Sequence, residues 1–251
     1  MLEIKNLDFA YGPKSKTVLK NISCQIEPGH LTAILGNNGA GKSTLLKCLS
    51  RIHKISGGQI LLDGQDIYKL SRLDLAKKIA YVGQKTQASH TMVFDTVLLG
   101  RRPYIKWEAS SQDKNIVSEI LQKLNLSSYA SSYVDQVSGG ELQKIVLARA
   151  LAQEPKYLLL DEPTSNLDPY NQQEILKIVR EICSQENIGG LIVIHDLNLA
   201  IKYCDRFLLI KDSQVYGYGG LDLLSPQAIK DLYKIDVDIV DYKGQKLIVA
   251  L

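Results

Sequence analysis

The run Gly36-Asn-Asn-Gly-Ala-Gly-Lys-Ser-Thr44 places glycines, a lysine and two hydroxyl side chains at the spacing G-x-x-x-x-G-K-[ST]. It follows the apolar segment 31–35, which is typical of a buried strand, and precedes a segment whose apolar residues have helical spacing. Glycine lets the backbone approach an anion closely, and the N–H groups at a helix start attract phosphate. We expect Lys42 to contact the β- and γ-phosphates of a nucleotide, and the Ser43 hydroxyl to bind Mg²⁺. The predicted binding residues are Gly36, Asn37, Asn38, Gly39, Ala40, Gly41, Lys42, Ser43 and Thr44.

Two acidic residues follow a second apolar segment. Residues 157–160 are typical of a buried strand, and Asp161 and Glu162 come directly after them. We expect this strand to lie beside the strand of segment 31–35, so that Asp161 holds Mg²⁺ directly or through water. Glu162 would then lie nearer the γ-phosphate and accept a proton from an attacking water. The pair favours hydrolysis over transfer to a bound acceptor.

Three further side chains follow predicted strands. Gln84 comes after strand 79–82, where its amide can reach a metal or a water, and His195 comes after strand 191–194, where it could donate to a γ-phosphate. Tyr11 ends the first strand and could stack on a base, although an aromatic residue at such a place more often serves packing. The predicted catalytic residues are therefore Glu162, His195 and Gln84, and the predicted metal ligands are Ser43, Gln84 and Asp161.

The segment Ser138-Gly-Gly-Glu141 opens a predicted helix. Ser138 and Glu141 have the spacing of a capping box. A capping box does not explain two glycines in the first helical turn, since glycine costs helix stability relative to alanine. Their N–H groups would make a second anion site. Because the chain already has one phosphate loop, this site would serve the nucleotide of a second copy in a head-to-tail dimer.

Composition limits the class of protein. The 251 residues are 45% hydrophobic, which suffices for one large α/β domain or a domain with an inserted subdomain. A net charge of +3 without a long basic block argues against nucleic-acid binding. The four cysteines are scattered, which predicts reduced core thiols in a cytosolic protein. No segment approaches the ~18 apolar residues needed to cross a bilayer. The N-terminus alternates like a strand rather than a signal peptide, so another chain would do any spanning.

The order of the elements predicts an α/β fold with a mostly parallel sheet. Strands 2–9 and 17–26 would form an N-terminal antiparallel part. Residues 85–153, with helices near 113–124 and 139–153, would form an inserted helical subdomain. We interpret residues 1–251 as one domain that ends in an extension over 217–251.

Together these motifs resemble the ATP-binding subunit of an ABC transporter over residues 2–216. The matching elements are the phosphate loop, Gln84 (Q-loop), Ser138-Gly139-Gly140 (signature), Leu160-Asp161-Glu162 (Walker B), Ser165-Asn166-Leu167-Asp168 (D-loop) and His195 (H-loop). The resemblance implies that ATP and Mg²⁺ are the cofactors, that Tyr11 stacks on adenine and that Glu162 is the general base. It also implies that His195 contacts the γ-phosphate across a closed dimer and that Asp168 connects the two sites.

This chain departs from the family pattern in two motifs. Val137 and Glu141 stand at the ends of a signature that usually reads Leu-Ser-Gly-Gly-Gln, and Asn166 stands where the D-loop usually has alanine. A carboxylate at Glu141 should repel a polyanion unless it turns to the ribose hydroxyls or back to its own helix N-terminus.

Residues 91–104, which end in Gly-Arg-Arg-Pro-Tyr, resemble the segment after the Q-loop in ATPases of importers for iron–siderophore complexes, haem and cobalamin. That region faces the membrane subunit in ABC transporters. The resemblance implies polytopic permease subunits as partners, with coupling helices seated near residues 85–105. It further implies an indirect partnership with an extracellular or periplasmic solute-binding protein, and a peripheral location on the cytoplasmic face of the membrane.

Three alternatives remain open at this point. The chain could serve an ABC importer of another solute class. It could be a soluble ABC ATPase without a transporter, although it lacks a long coiled coil, a second ATPase half and a basic block. A P-loop kinase would lack both the Ser-Gly-Gly helix and the glutamate after Asp161.

Overall fold

The computed structural model describes residues 1–12, 15–84 and 89–251. Sheets and helices enclose two clusters of buried apolar side chains. Within those ranges, no helix is both long and apolar enough to span a bilayer. The predicted α/β fold with a mostly parallel sheet is confirmed.

The central sheet contains six strands among the described residues. One of the six, at an edge of the sheet, runs antiparallel to its neighbour. Three of the inner strands are buried at every residue, as expected for parallel strands that are covered on both faces. The strands are, in order across the sheet, β10 (Gln214–Gly219), β9 (Arg206–Lys211), β3 (Leu31–Leu35), β8 (Gly189–Val193), β7 (Tyr157–Asp161) and β6 (Ile79–Val82).

The prediction that the strand ending in Asp161 lies beside the strand leading into the phosphate loop is wrong. Strand β7, which ends in Asp161, does not pair with β3, which leads into the phosphate loop. Strand β8 lies between them and pairs with both in parallel register. Strands β3, β7 and β8 are equally apolar and equally buried, so their composition carries no information about their order. Asp161 nevertheless reaches the phosphate loop, because helix α1 (Lys42–Leu49) starts beyond β3 and packs towards β7.

The N-terminal strands form the predicted antiparallel sheet, and this sheet packs against α1. Strands β1 (Leu2–Ala10) and β2 (Thr17–Ile26) pair with Leu2 opposite Ile26. Buried side chains of α1 lie in one cluster with residues of both sheets, so α1 is held between them. The remaining elements of this part are β4 (Gly57–Leu62), β5 (Gln65–Asp66), a 3-10 turn over Ile67–Lys69 and α2 (Arg72–Ala76).

Helices connect β6 to β7, where the sequence predicts a helical insertion. The start of the predicted insertion, residues 85–88, lies outside the described residues, as does the beginning of the predicted coupling seat. The division into a separate subdomain stays a prediction. The helices are α3 (Val93–Leu98), α4 (Ser111–Lys123) and α5 (Gly139–Leu151), with 3-10 turns over Leu99–Arg101, Ser127–Tyr129 and Val134–Gln136.

The C-terminal part completes the central sheet and then leaves it. Strands β9 and β10 form an antiparallel hairpin, and the proposed extension over 217–251 begins inside β10. Strands β11 and β12 pair only with each other among the described residues. The elements are α6 (Pro169–Gln185), α7 (Leu197–Tyr203), a 3-10 turn over Leu221–Leu223, α8 (Pro226–Tyr233), β11 (Val237–Tyr242) and β12 (Gln245–Ala250).

The cysteines carry free thiols. Cys48, Cys183 and Cys204 are buried, as expected for core thiols, while Cys24 is partly exposed. Burial raises the pKa of Cys48 and of Cys183 to about 12. These thiols are therefore protonated at neutral pH and are weak nucleophiles.

Candidate nucleotide-binding site

The phosphate loop begins at Gly36, directly after β3. A side chain at this position would place its Cβ 2.2 Å from the carbonyl oxygen of Ile210 in β9, so only glycine fits without moving the strand. The loop ends where α1 starts at Lys42. The sequence therefore forms the predicted strand–loop–helix unit, with the N-terminus of α1 at the mouth of the loop.

The Lys42 side chain lies inside this loop. Its Nζ donates to the carbonyl oxygens of Gly36, at 2.7 Å, and Asn37, at 3.0 Å. Burial lowers the pKa of Lys42, and the nearby carboxylates of Glu162 and Asp161 oppose that shift. The ammonium group is thus held where the backbone N–H groups would receive a phosphate.

Ser43 at the start of α1 meets Asp161 at the end of β7, although β7 and β3, the strand before α1, are not neighbours. The Ser43 hydroxyl donates to Asp161 Oδ1 at 2.6 Å, and the Tyr81 hydroxyl donates to Asp161 Oδ2 at 3.0 Å. Hydroxyl and carboxylate oxygens are the hard ligands that suit Mg²⁺, so this donor set fits the predicted metal. Tyr81 was not predicted. Its local sequence, a tyrosine in a short apolar strand, does not distinguish it from a tyrosine used for packing.

Glu162 lies between the other two predicted catalytic residues. Gln84 Nε2 donates to Glu162 Oε2 at 2.7 Å, and His195 Nε2 lies 2.7 Å from Glu162 Oε1. Because Gln84 uses its amide nitrogen on Glu162, its amide oxygen is left for another partner. Glu162 has a left-handed backbone with φ of +52°, which is uncommon for a residue with a long side chain. Such strained residues are concentrated at functional sites.

Tyr11 lies at the mouth of the phosphate loop. Its hydroxyl is 3.2 Å from Thr44 Oγ1, while 63% of the residue remains exposed. Phe9 and His53 contact the ring edge-on, with centroids 5.0 Å and 5.4 Å away. These neighbours orient the ring and leave it accessible to a planar group. His53 was not predicted, because nothing in its local sequence indicates that it approaches Tyr11.

Two cavities share Glu162. One of about 290 Å³ lies at the phosphate loop and also contains Tyr11 and Lys42. The other, of about 160 Å³, contains His195 and Thr164. The carboxylate therefore faces both the loop and the histidine.

A protein-family model described as "ABC transporter" matches residues 19–165, which is more than half of the chain. The chain belongs to the ABC transporter ATP-binding family. The cassette is 47% identical over 251 residues to an uncharacterized ABC transporter ATP-binding protein of Methanocaldococcus jannaschii, covering 100% of this chain and 98% of the relative. It is 32% identical to a petrobactin import ATP-binding protein of Bacillus subtilis, with 98% of both chains covered.

Solved structures agree with this assignment. The cassette superimposes with a TM-score of 0.85 and 29% identity on a chain described as an inward-facing metal-chelate type ABC transporter, covering 100% of this chain and 97% of the other. Its predicted family and its enzyme class, an ATPase, are confirmed. The roles of the individual site residues stay predictions.

The signature segment of the cassette caps α5 as predicted. The Ser138 hydroxyl accepts from the Glu141 backbone N–H, and the Glu141 carboxylate accepts from the Ser138 N–H at 2.9 Å. The Tyr129 hydroxyl also donates to Glu141, at 3.0 Å. The carboxylate thus turns back to its own helix N-terminus, which is one of the two orientations that avoid repelling a nucleotide.

One signature glycine has a packing role that the sequence does not indicate. A Cβ at Gly140 would lie 2.4 Å from the Asn171 amide oxygen on α6, whereas Gly139 is nearly free of such contacts. Asn171 also donates from its side chain to Asp168. A side chain at position 140 would therefore have to displace the Asn171 amide, which bonds to Asp168, whereas packing does not account for Gly139.

Asp168 of the D-loop caps α6. Its carboxylate accepts from the N–H groups of Tyr170, at 3.0 Å, and Asn171, at 3.1 Å. Hydrogen bonds hold the pKa of Asp168 below its usual range. The largest contribution comes from the Asn171 backbone N–H and the next from the Asn171 side chain. Asn166 has a left-handed backbone with φ of +67°, a conformation that asparagine tolerates better than alanine. This conformation accounts for the departure from alanine in this D-loop.

Replacing Glu141 by glutamine is expected to change ATP affinity less than about threefold, because a glutamine can fill the same place in the capping box. The carboxylate is already directed at Ser138 and Tyr129, so its charge does not have to face the nucleotide. Isothermal titration with ATP measures the change. A tenfold gain or loss would contradict the proposed orientation.

Proposed function

We propose that this cassette is the ATP-hydrolysing subunit of a membrane importer for a ferric siderophore or a related metal chelate such as haem or cobalamin. The observation that carries the proposal is the petrobactin-import relative, which aligns with this chain over nearly the whole length of both. The likeness to a metal-chelate type transporter and the resemblance of residues 91–104 support the same class. We place the cassette on the cytoplasmic face of the membrane.

Hydrolysis would proceed at the junction of the phosphate loop, β7 and His195. Lys42 and the loop N–H groups would bind the β- and γ-phosphates, and Tyr11 would stack on adenine. Mg²⁺, held through Ser43, Asp161 and Gln84, would neutralise charge on the phosphate oxygens.

The nucleophile in this scheme is a water molecule beside the γ-phosphate. Glu162 would take a proton from that water while Gln84 and His195 hold its carboxylate in place. His195 would also contact the γ-phosphate, so its partner would change when ATP binds or phosphate leaves.

The second half of each site would come from another copy of the chain. Among the described residues, none of 138–141 lines the cavity at the phosphate loop. An outward-facing helix N-terminus with Gly139 beside it is suited to a phosphate presented by a partner. Two copies would therefore enclose two ATP molecules head to tail, with Asp168 linking the sites.

The permease would bind the outer face of α3. Asp95 on α3, Met92 directly before the helix and Leu99 directly after it are all exposed. Trp107, on the following loop, is 97% exposed. Exposed apolar side chains of this size mark interaction sites, and Asp95 between them favours a permease segment that carries a basic residue.

Leu99→Asp is expected to reduce the amount of co-purified permease by at least about tenfold, the effect of losing one central apolar contact. Leu73→Asp on α2 is a matched control, because Leu73 is 58% exposed and Leu99 59%. Both variants should hydrolyse ATP at the wild-type basal rate. Equal loss of permease from both variants would mean that α3 is not the contact.

A tagged pull-down from detergent-solubilised membranes, with partners identified by mass spectrometry, tests the proposal as a whole. A polytopic membrane subunit in equal amount supports an importer, and its solute receptor can then be tested with ferric chelates, haem and cobalamin. Recovery of soluble partners alone would favour an ABC ATPase without a transporter. A receptor that binds another solute class would reject only the metal-chelate assignment.

A further inference from the structure

The C-terminal extension reaches the phosphate loop through one tyrosine. The backbone N–H of Gly36 donates to the Tyr233 hydroxyl at 2.9 Å. Gly36 is the first residue after β3, whose last pairing with β9 joins Leu35 to Leu209. The sheet ladder therefore ends just before this N–H, and the hydroxyl supplies its partner.

Tyr233 is held firmly because it is the last residue of a well-anchored helix. The Ser225 hydroxyl caps α8 by accepting from Ala228 N–H at 3.1 Å, and Ile229 and Leu232 are buried. Burial raises the pKa of Tyr233, so the phenol stays neutral at physiological pH. Its oxygen is thus a fixed acceptor at the start of the loop.

The contact between α8 and the phosphate loop is confined to a small area around the Tyr233 hydroxyl. A cavity of about 320 Å³ lies beside it and is lined by loop residues 37–40 together with Leu232 and Lys234 of the C-terminal segment. On the other side, the backbone of Ile210 blocks Gly36 from moving towards β9. The first peptide of the loop is therefore fixed by one strand and one hydroxyl rather than by broad packing.

We infer that Tyr233 is a positioning residue for nucleotide binding, which acts by holding the Gly36 peptide in the conformation that a bound diphosphate requires. A loop that samples other conformations binds in proportion to the fraction that is competent. This assigns a role to the C-terminal extension, which the matched family segment does not include. The inference rests on the proposed function, since it concerns the same phosphate loop.

The extension also contacts the helix that follows His195. The Asn198 side chain accepts from the Ile248 N–H at 2.8 Å and donates to the Ile248 carbonyl oxygen at 3.1 Å. These bonds fix the β11–β12 hairpin on α7 independently of Tyr233. Loss of the Tyr233 hydroxyl should therefore leave the extension docked and release only the loop.

The test is Tyr233→Phe, with Tyr216→Phe as the matched control. The Tyr216 hydroxyl donates to Asp231 on α8 at 2.9 Å, so the control loses a bond that holds the same helix without losing the bond to Gly36. Tyr233→Phe should raise the Kd of both ATP and ADP about three- to tenfold, which is the effect of one lost hydrogen bond. Both nucleotides should be affected, because both carry the diphosphate that the loop binds. KM should rise with the Kd while kcat stays within about twofold, because the ground state and the transition state lose the same binding interaction.

Amide hydrogen exchange provides a readout that does not depend on activity. Exchange in the peptide that contains Gly36 should accelerate in Tyr233→Phe without nucleotide, and should not change in Tyr216→Phe. Unaltered affinities in Tyr233→Phe, or equal weakening in both variants, would overturn the inference. If the wild-type chain binds neither nucleotide, the proposed function fails and this inference with it. If the wild type binds both and Tyr233→Phe binds equally well, only the inference fails.

Discussion

Glu162→Gln is expected to lower ATP hydrolysis by about 10²-fold or more while ATP binding persists, since a general base usually contributes that much to the rate. Glutamine keeps the shape of the side chain and can still pair with Gln84, which lies 2.7 Å away. It cannot accept a proton from water. ATP should therefore remain bound between two copies, and the variant should accumulate as a dimer.

Phosphate release, ATP titration and size-exclusion chromatography measure these three consequences separately. Glu141→Gln is the matched control, because it makes the same chemical change in the signature and should leave the rate and affinity close to those of the wild type. Lys42→Ala should instead lose both binding and turnover, since its ammonium group lies within the loop. A Glu162→Gln protein that hydrolyses ATP near the wild-type rate would show that another group is the base.

Much of the candidate site could be predicted because its motifs are local. The phosphate loop is a continuous run of nine residues, and the two capping residues Ser138 and Glu141 are three positions apart. Such spacings determine geometry without knowledge of the rest of the chain. The strands that lead to Asp161 and His195 could be recognised for the same reason, as short apolar runs that end in polar residues.

The rest depends on contacts between residues far apart in sequence. Tyr81 meets Asp161 across 80 positions, and Tyr233 meets Gly36 across 197. Neither phenol differs in its local pattern from a tyrosine used for packing. The expectation that β7 lies beside β3 is wrong for a related reason, because buried parallel strands resemble one another in composition. The sequence therefore indicates which segments meet at the candidate site better than which side chains hold them there.

Arg101→Ala is expected to destabilise the cassette by about 3–5 kcal/mol, the usual cost of removing one partner of a buried ion pair. Arg101 is only 4% exposed. Its Nε donates to Asp113 at 2.9 Å, and its Nη1 donates to the Ala152 carbonyl oxygen at 2.8 Å and to Glu154 at 2.6 Å. The substitution would leave Asp113 buried without its cation. Urea unfolding at neutral pH measures the loss.

The neighbouring Arg102→Ala is the matched control, since Arg102 is exposed and its loss should change the free energy of unfolding by less than about 0.5 kcal/mol. The pH dependence gives a second test. Hydrogen bonds hold the pKa of Asp113 below its usual value of about 3.9; the bond from the Ser110 hydroxyl contributes most, and the bond from Arg101 adds to it. This carboxylate therefore stabilises the wild type above that pH and loses its effect as the pH falls through the lower folded value. In Arg101→Ala the folded pKa should rise, so the acid limb of stability should flatten.

Equal stability of Arg101→Ala and Arg102→Ala would contradict the claim that the buried ion pair of Arg101 stabilises the cassette. If the account holds, the Gly-Arg-Arg-Pro-Tyr run serves the inside of the cassette as well as its surface. Arg101 joins the end of the proposed permease-binding face, at Leu99, to the end of α5, whose first residue is the signature glycine Gly139. A force applied at α3 would then reach the end of α5 through the hydrogen bond from buried Arg101 to the Ala152 carbonyl oxygen. The Arg101→Ala protein that remains folded should accordingly bind ATP normally, and its ATPase rate should respond weakly to the permease.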